Sequence, residues 1–162
     1  MVAPCLMAMT MFASQVNWIG GRNPRIALAN IAEGTHEGAV GKIADAAIGT
    51  RYLLGKFGTD DFHVNIAGAA DIPFCTMPDE AAVGKRIQCH ILGVFQGSLL
   101  MVASEAITAG EHVYAAANGK VQDLPAAPGT YWEVGLALTA AGADTDLIEV
   151  AHCVPRKVVV AA

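Results

Sequence analysis

Residues 107–124 read ITAGEHVYAAANGKVQDL, and their pattern decides the fold class. Asn118-Gly119 is the strongest short-range hairpin signal, because both central residues of a type I′ turn need φ > 0. Val113, Ala115 and Ala117 alternate into the turn, and Lys120, Val121 and Gln122 lead out of it. The reading is a strand, a tight turn and a second strand. Nothing in the stretch is placed to do chemistry.

The same text continues on both sides. RYLLGKFG at 51–58 reads as a strand, and in DDFHVNIAG at 60–68 Phe62, Val64 and Ile66 alternate against His63 and Asn65. In KRIQCHILGVF, Ile87, Cys89 and Ile91 share one face, with Gln88, His90 and Leu92 on the other. TYWEVGLALTAAG puts Trp132, Val134, Leu136 and Leu138 on one face, and Glu133, Gly135 and Ala137 on the other. DIPFCTM, GSLLMVASEAI, DLIEVAHCV and KVVVAA complete a series of short runs separated by Gly, Pro, Asp and Asn. Such spacing is the signature of a small β-barrel or β-sandwich. Glycines at 34, 38, 41, 49, 55 and 58 argue against a long helix in that segment, since each interior Gly costs about 1 kcal/mol against Ala. One short helix near 44–48 is possible. The expected architecture is therefore mainly β, with at most one or two short helices over 34–162 and an extended N-terminal arm over 1–33.

Composition points the same way. The chain has 162 residues, enough for one domain that buries about 70% of its unfolded surface. It is 54% hydrophobic and 15% charged, with 30 alanines and 17 glycines, against about 25% charged in ordinary soluble domains. So little charge implies a surface that is covered in an assembly. The net charge of −5 argues against nucleic acid as the main partner. Residues 60–152 hold twelve acids against Lys85, Arg86 and Lys120. Residues 1–59 hold five cations against Glu33, Glu37 and Asp45, and Arg156 and Lys157 close the chain. An acidic body with a mildly basic, apolar arm suits docking on something large.

Cys5, Cys75, Cys89 and Cys153 are too scattered for a disulfide framework and read as reduced, mostly buried thiols. The first 21 residues are apolar but lack a basic start, and Pro4, Gln15 and Asn17 interrupt any spanning run. They read as a docking arm or buried strand rather than a signal peptide or membrane span.

A search for chemistry finds none. A phosphate loop around Gly41-Lys42 would need Gly where His36 stands and Ser or Thr where Ile43 stands. Ser14, Ser98 and Ser104 lack a nucleophile-elbow context. Cys89-His90 and His152-Cys153 hold good ligand types, but neighbours in a strand point to opposite faces. Asp144, Asp146 and Glu149 lack a full calcium-loop register and read as turn acids, as do Asp60-Asp61 and Asp79-Glu80. His63 and His112 read as half-buried polar partners, and Trp132 as core. No catalytic residue, metal or cofactor is expected.

From about residue 34 onward the chain resembles the capsid cement, or head-decoration, proteins of tailed bacteriophages. The resemblance rests on RYLLGKFGTDDFHV, ADIPFCTMPDEAAVGKRIQCHILG and the block from LMVASEAI to VAHC. Within that block the specific phrases are Ala109-Gly110, Val113-Tyr114, Gly119-Lys120-Val121, 134–138 (VGLAL) and 146–150 (DLIEV). These are turns, strand cores and permissive glycines, so they identify a fold family rather than a site. The resemblance implies a non-enzymatic protein, made in the bacterial host cytoplasm, that binds the outside of a phage head and reinforces it. Its implied partners are the major capsid protein and further copies of itself, as a homotrimer. Neither nucleic acid nor membrane is implied. The arm lies outside the recognised pattern, and Trp18, Arg22 and Arg25 are its expected contacts with the capsid or a neighbouring copy. Two rival readings are another structural phage part, such as a head–tail joining or tube protein, and a small β-barrel that binds a ligand.

Overall fold

The computed structural model describes residues 36–161, which belong to one unit, His36–Ala162. Ten strands carry it. Strands β1 (Ala39–Ala44), β2 (Leu53–Phe57), β3 (His63–Ile66), β4 (Cys75–Met77) and β5 (Arg86–Ile91) close into a barrel in the order β1-β3-β2-β4-β5. All its pairings are antiparallel except β1 with β3, where Ile43 faces His63 and Ala44 faces Val64. Strands β6 (Leu99–Val102), β7 (His112–Ala115), β8 (Val121–Gln122), β9 (Gly129–Ala137) and β10 (Leu147–Val160) form a second sheet, ordered β6-β10-β9-β7-β8. Its two edges meet at one parallel bridge, Ala103 to Val121, where the Ser104 amide and hydroxyl both donate to the Val121 carbonyl. The fold is mainly β, and the only helical pieces among the described residues are single 3-10 turns at His36–Gly38 and Ala117–Gly119.

There are two cores, and they share walls. The barrel encloses Ile48, Leu53, Val64, Met77, Ile87 and Cys89, while the sheet covers Leu54, Met101, Val113, Val134, Ile148 and Val150. Successive side chains of a strand point to opposite faces. Leu53 of β2 therefore enters the barrel core and Leu54 the sheet core, and Val102 and Met101 of β6 divide the same way. Leu92, on the face of its run opposite Ile87 and Cys89, enters the second core, where it is 2% exposed.

The short helix that the sequence allows near 44–48 does not form: Ala44 ends β1, and Ile48 bridges Ala81. One expectation needs correction. The alternation expected for Trp132, Val134, Leu136 and Leu138 breaks at Val134. There β7 skips a residue of β9, pairing Val113 with Gly135 and Tyr114 with Glu133. Such a bulge reverses which side chains point inward. Ala137 therefore joins the core, Leu138 turns out to solvent, and Glu133 is buried. Trp132, ahead of the bulge, is half-buried and packs against the core. The runs DLIEVAHCV and KVVVAA are one strand, β10, with a register break between His152 and Arg156 that takes up Pro155. Pro lacks a donor, so a break in the ladder is where a strand tolerates it.

The hairpin tip locks the two halves together. Asn118 (φ 59) and Gly119 (φ 71) occupy the left-handed region, and Ala115 faces Val121 below them. Gly119 donates its amide to the Ala67 carbonyl at 2.7 Å, and Ala67 donates to Leu54 of β2 at 2.9 Å. A Cβ on Gly119 would lie 2.9 Å from both the Leu54 oxygen and Ile66, so only glycine lets the turn seat on the barrel. Gly119→Ala is expected to lower unfolding free energy by about 2–4 kcal/mol, combining left-handed strain with overpacking. Gly110→Ala, at φ 92 with open space around it, should cost about 1 kcal/mol. Equal midpoints for the two variants in denaturant titration would contradict this difference.

Candidate docking surfaces

Trp18, Arg22 and Arg25 lie outside the described residues. Asn118 and Gly119 lie together at the hairpin tip, where Asn118 borders a cleft of about 500 Å³ between barrel and sheet. Its floor is apolar, with Leu53, Ile66, Val102 and Leu147. Tyr52 (φ 63) and Thr145 (φ 74) also line it, both in backbone conformations unusual for their type. The cations at its rim are already engaged: Arg51 bonds Asp79 at 2.9 Å and Lys120 bonds Asp144 at 2.6 Å.

The serines, histidines and turn acids are mostly taken up by the fold. Ser98 donates its hydroxyl to Glu149, and Ser104 to a backbone carbonyl. Asp60 accepts from the Phe62 amide and pairs with His63 at 2.5 Å. Asp146 accepts the amides of Gly142 and Ala143, closing the turn before β10. His90 stacks on Phe95, on the side of β5 opposite the buried Cys89. His152 accepts the Gly93 amide at 2.7 Å. Burial pushes the Cys75 thiol well up, with the Cys89 thiol beside it adding to the effect. Cys75, Cys89 and Cys153 are all free thiols. Among the described residues no group of three His, Cys, Asp or Glu is arranged to hold a metal ion, and no helix is long and apolar enough to cross a membrane.

Among the described residues one carboxylate is buried, and its role is structural. Glu133 of β9 is 5% exposed and lies between His112 of β7, at 2.9 Å, and Arg156 of β10, at 2.6 Å. Sequence alternation misses it because it sits beside the bulge. Burial pushes this carboxyl up, but the hydrogen bonds from Arg156 and His112 outweigh burial and hold it below its usual range. Asp71 is also held low, by its bond to Lys56 and the Gly68 amide.

Exposed apolar side chains are the most prominent surface feature. On the outer side of β6, β10 and β9 stand Leu100, Leu138 and Leu147, 39%, 47% and 50% exposed. They surround Glu149, which faces Leu100 across the ladder and accepts the Leu138 amide. On the barrel, Phe57 stacks on Phe74 with ring centroids 4.2 Å apart, and Lys42 lies 5.3 Å above the Phe57 ring. Contiguous patches of this kind mark interaction sites on soluble proteins.

A carboxyl held low in the fold stabilises it above the unfolded value of about 4.3, and that stability is lost as pH falls through the folded value. Glu133→Gln should therefore weaken the protein at neutral pH by about 1–3 kcal/mol, and the gap to the parent should close between about pH 5 and pH 3. Urea midpoints at several pH values test this. A gap that stays constant with pH would show that the Glu133 charge does not matter.

The family model described as phage cement protein matches residues 26–152. None of the curated proteins matches the chain. Among solved structures, the fold is similar to the head fiber gp8.5 N base of bacteriophage phi29, at 18% identity and a TM-score of 0.51, covering 69% of this chain and 90% of that one. With its β architecture and a match across most of its length, the chain belongs to the phage cement protein family.

Proposed function

We propose that the protein binds the outer surface of a phage capsid as an oligomer and stabilises the mature head without catalysing any reaction. The family match over residues 26–152 carries this reading. Support comes from the leucine-bearing sheet face and from polar side chains that are committed to turns and ion pairs. Apolar burial contributes roughly 25 cal/mol per Å², and an oligomer multiplies weak single contacts when all can engage together. The arm over 1–33 adds shell contact through Trp18, Arg22 and Arg25, while 34–162 forms the decoration domain.

The direct test mixes purified protein with mature heads that lack it, pellets them and counts bound copies. Saturation at a symmetry-related number is expected. Absence of co-sedimentation at about micromolar protein, where specific interfaces normally hold, would overturn shell binding. Replacing Trp18, Arg22 and Arg25 together by Ala should cut occupancy about tenfold or more, in line with truncated anchors. Unchanged occupancy would remove the arm from the interface.

A further inference from the structure

The Asn-Gly pair that shapes the turn between β7 and β8 carries chemistry of its own. A backbone nitrogen that follows asparagine attacks the asparagine side-chain carbonyl when it is free to reach it. Glycine, with no Cβ and a mobile backbone, hinders that attack least. Asn118-Gly119 is the one Asn-Gly pair in the sequence. The other asparagines precede Trp18, Pro24, Ile31 and Ile66, which are bulky or, for proline, lack the N–H.

The seated turn opposes the attack in two ways. Ring closure needs the Gly119 nitrogen nearly eclipsed with the Asn118 Cβ about the Cα–C bond. Asn118 stands at φ 59 and ψ 31, which places that nitrogen nearly anti to Cβ and far from Cγ. The Gly119 N–H is also committed, donating to the Ala67 carbonyl at 2.7 Å, and Gly119 is buried although Asn118 is exposed. Closing the ring requires the Asn118 ψ to swing by more than a right angle. That swing turns the Gly119 peptide away from Ala67, so the reaction and the seated turn exclude each other.

We propose that Asn118 is a latent modification site, where spontaneous deamidation is held off by the seat of the hairpin tip on the barrel and released when the tip lifts. The Gly119 nitrogen bonds to Cγ of Asn118, the Cγ–Nδ2 bond breaks, and ammonia leaves with the proton that the nitrogen gives up. Water then opens the succinimide ring at either carbonyl, leaving an aspartyl or an isoaspartyl residue at 118. The isoaspartyl form routes the main chain through Cβ and Cγ and lengthens it by one carbon atom. The seat has no room for that, since even a Cβ on Gly119 would lie 2.9 Å from the Leu54 oxygen. A transient opening thus becomes a permanent release of the fastener between barrel and sheet. The site stands apart from shell binding, and its test needs no heads.

In that test the full chain is held at mildly alkaline pH beside a peptide of residues 113–123. Peptide mapping and an isoaspartyl methyltransferase assay follow conversion at 118. The folded chain should convert about tenfold or more slowly than the peptide, because local opening of a seated segment populates few molecules. The chain unfolded in urea should match the peptide. In urea below the transition, conversion should rise in step with hydrogen exchange of the Gly119 amide, since chemistry slower than reclosing tracks the open population. A folded chain that converts as fast as the peptide overturns the gate. So does conversion that ignores Gly119 exchange, or an unfolded chain that keeps its asparagine. Chain converted to isoaspartyl in urea and refolded should lose protection at Gly119, whereas Asn118→Asp, with a backbone of normal length, should keep it. Equal protection in the two would overturn the permanent release.

Discussion

The fold depends on one shared wall. Strand β2 sends Leu53 into the barrel and Leu54 into the sheet core, so neither core is complete without it. Against that wall sits the Gly119 turn, through the Ala67 carbonyl and the close approach to Leu54 and Ile66. Fully burying a leucine stabilises a fold by about 1.5–3 kcal/mol. Here two adjacent leucines tie two β units into one body, and the turn fixes how the second unit lies on the first. A strong two-residue turn in the sequence is thus a fastener between layers as well as a reversal of the chain.

The turn and the strands were legible because both are local. A left-handed pair needs Asn-Gly, and a strand with one buried face needs alternation. What escaped the sequence was non-local. The bulge at Val134 is set by the register of β7 against β9, and no property of residues 129–138 alone announces it. It turned Leu138 outward and buried Glu133, so simple alternation misplaced that leucine and missed the buried ion pair. Leu92 and Leu54 belong to a second core because the outer side of the barrel is itself covered, which period-two patterning cannot register. The helix allowed near 44–48 does not form, because Ile48 is claimed by a bridge to Ala81.

The candidate site is a different matter. Serines, histidines and turn acids that resemble catalytic or metal-binding parts are mostly satisfied by nearby backbone or ion-pair partners. The chain's distinctive physical resource is apolar area held on a stiff β scaffold. Leucines stand on one sheet face and stacked phenylalanines on the barrel. Each is a poor investment for a solitary protein and a useful one for a subunit that is covered on several sides. Mechanical support of a shell requires many such contacts acting together and no turnover of bonds.

The central claim is that binding itself strengthens the head. The most direct measurement is the temperature at which DNA-filled heads release their genome, with and without saturating protein. Reinforcement predicts release at higher temperature in proportion to occupancy. Heads that bind the protein fully and release DNA at an unchanged temperature would contradict it.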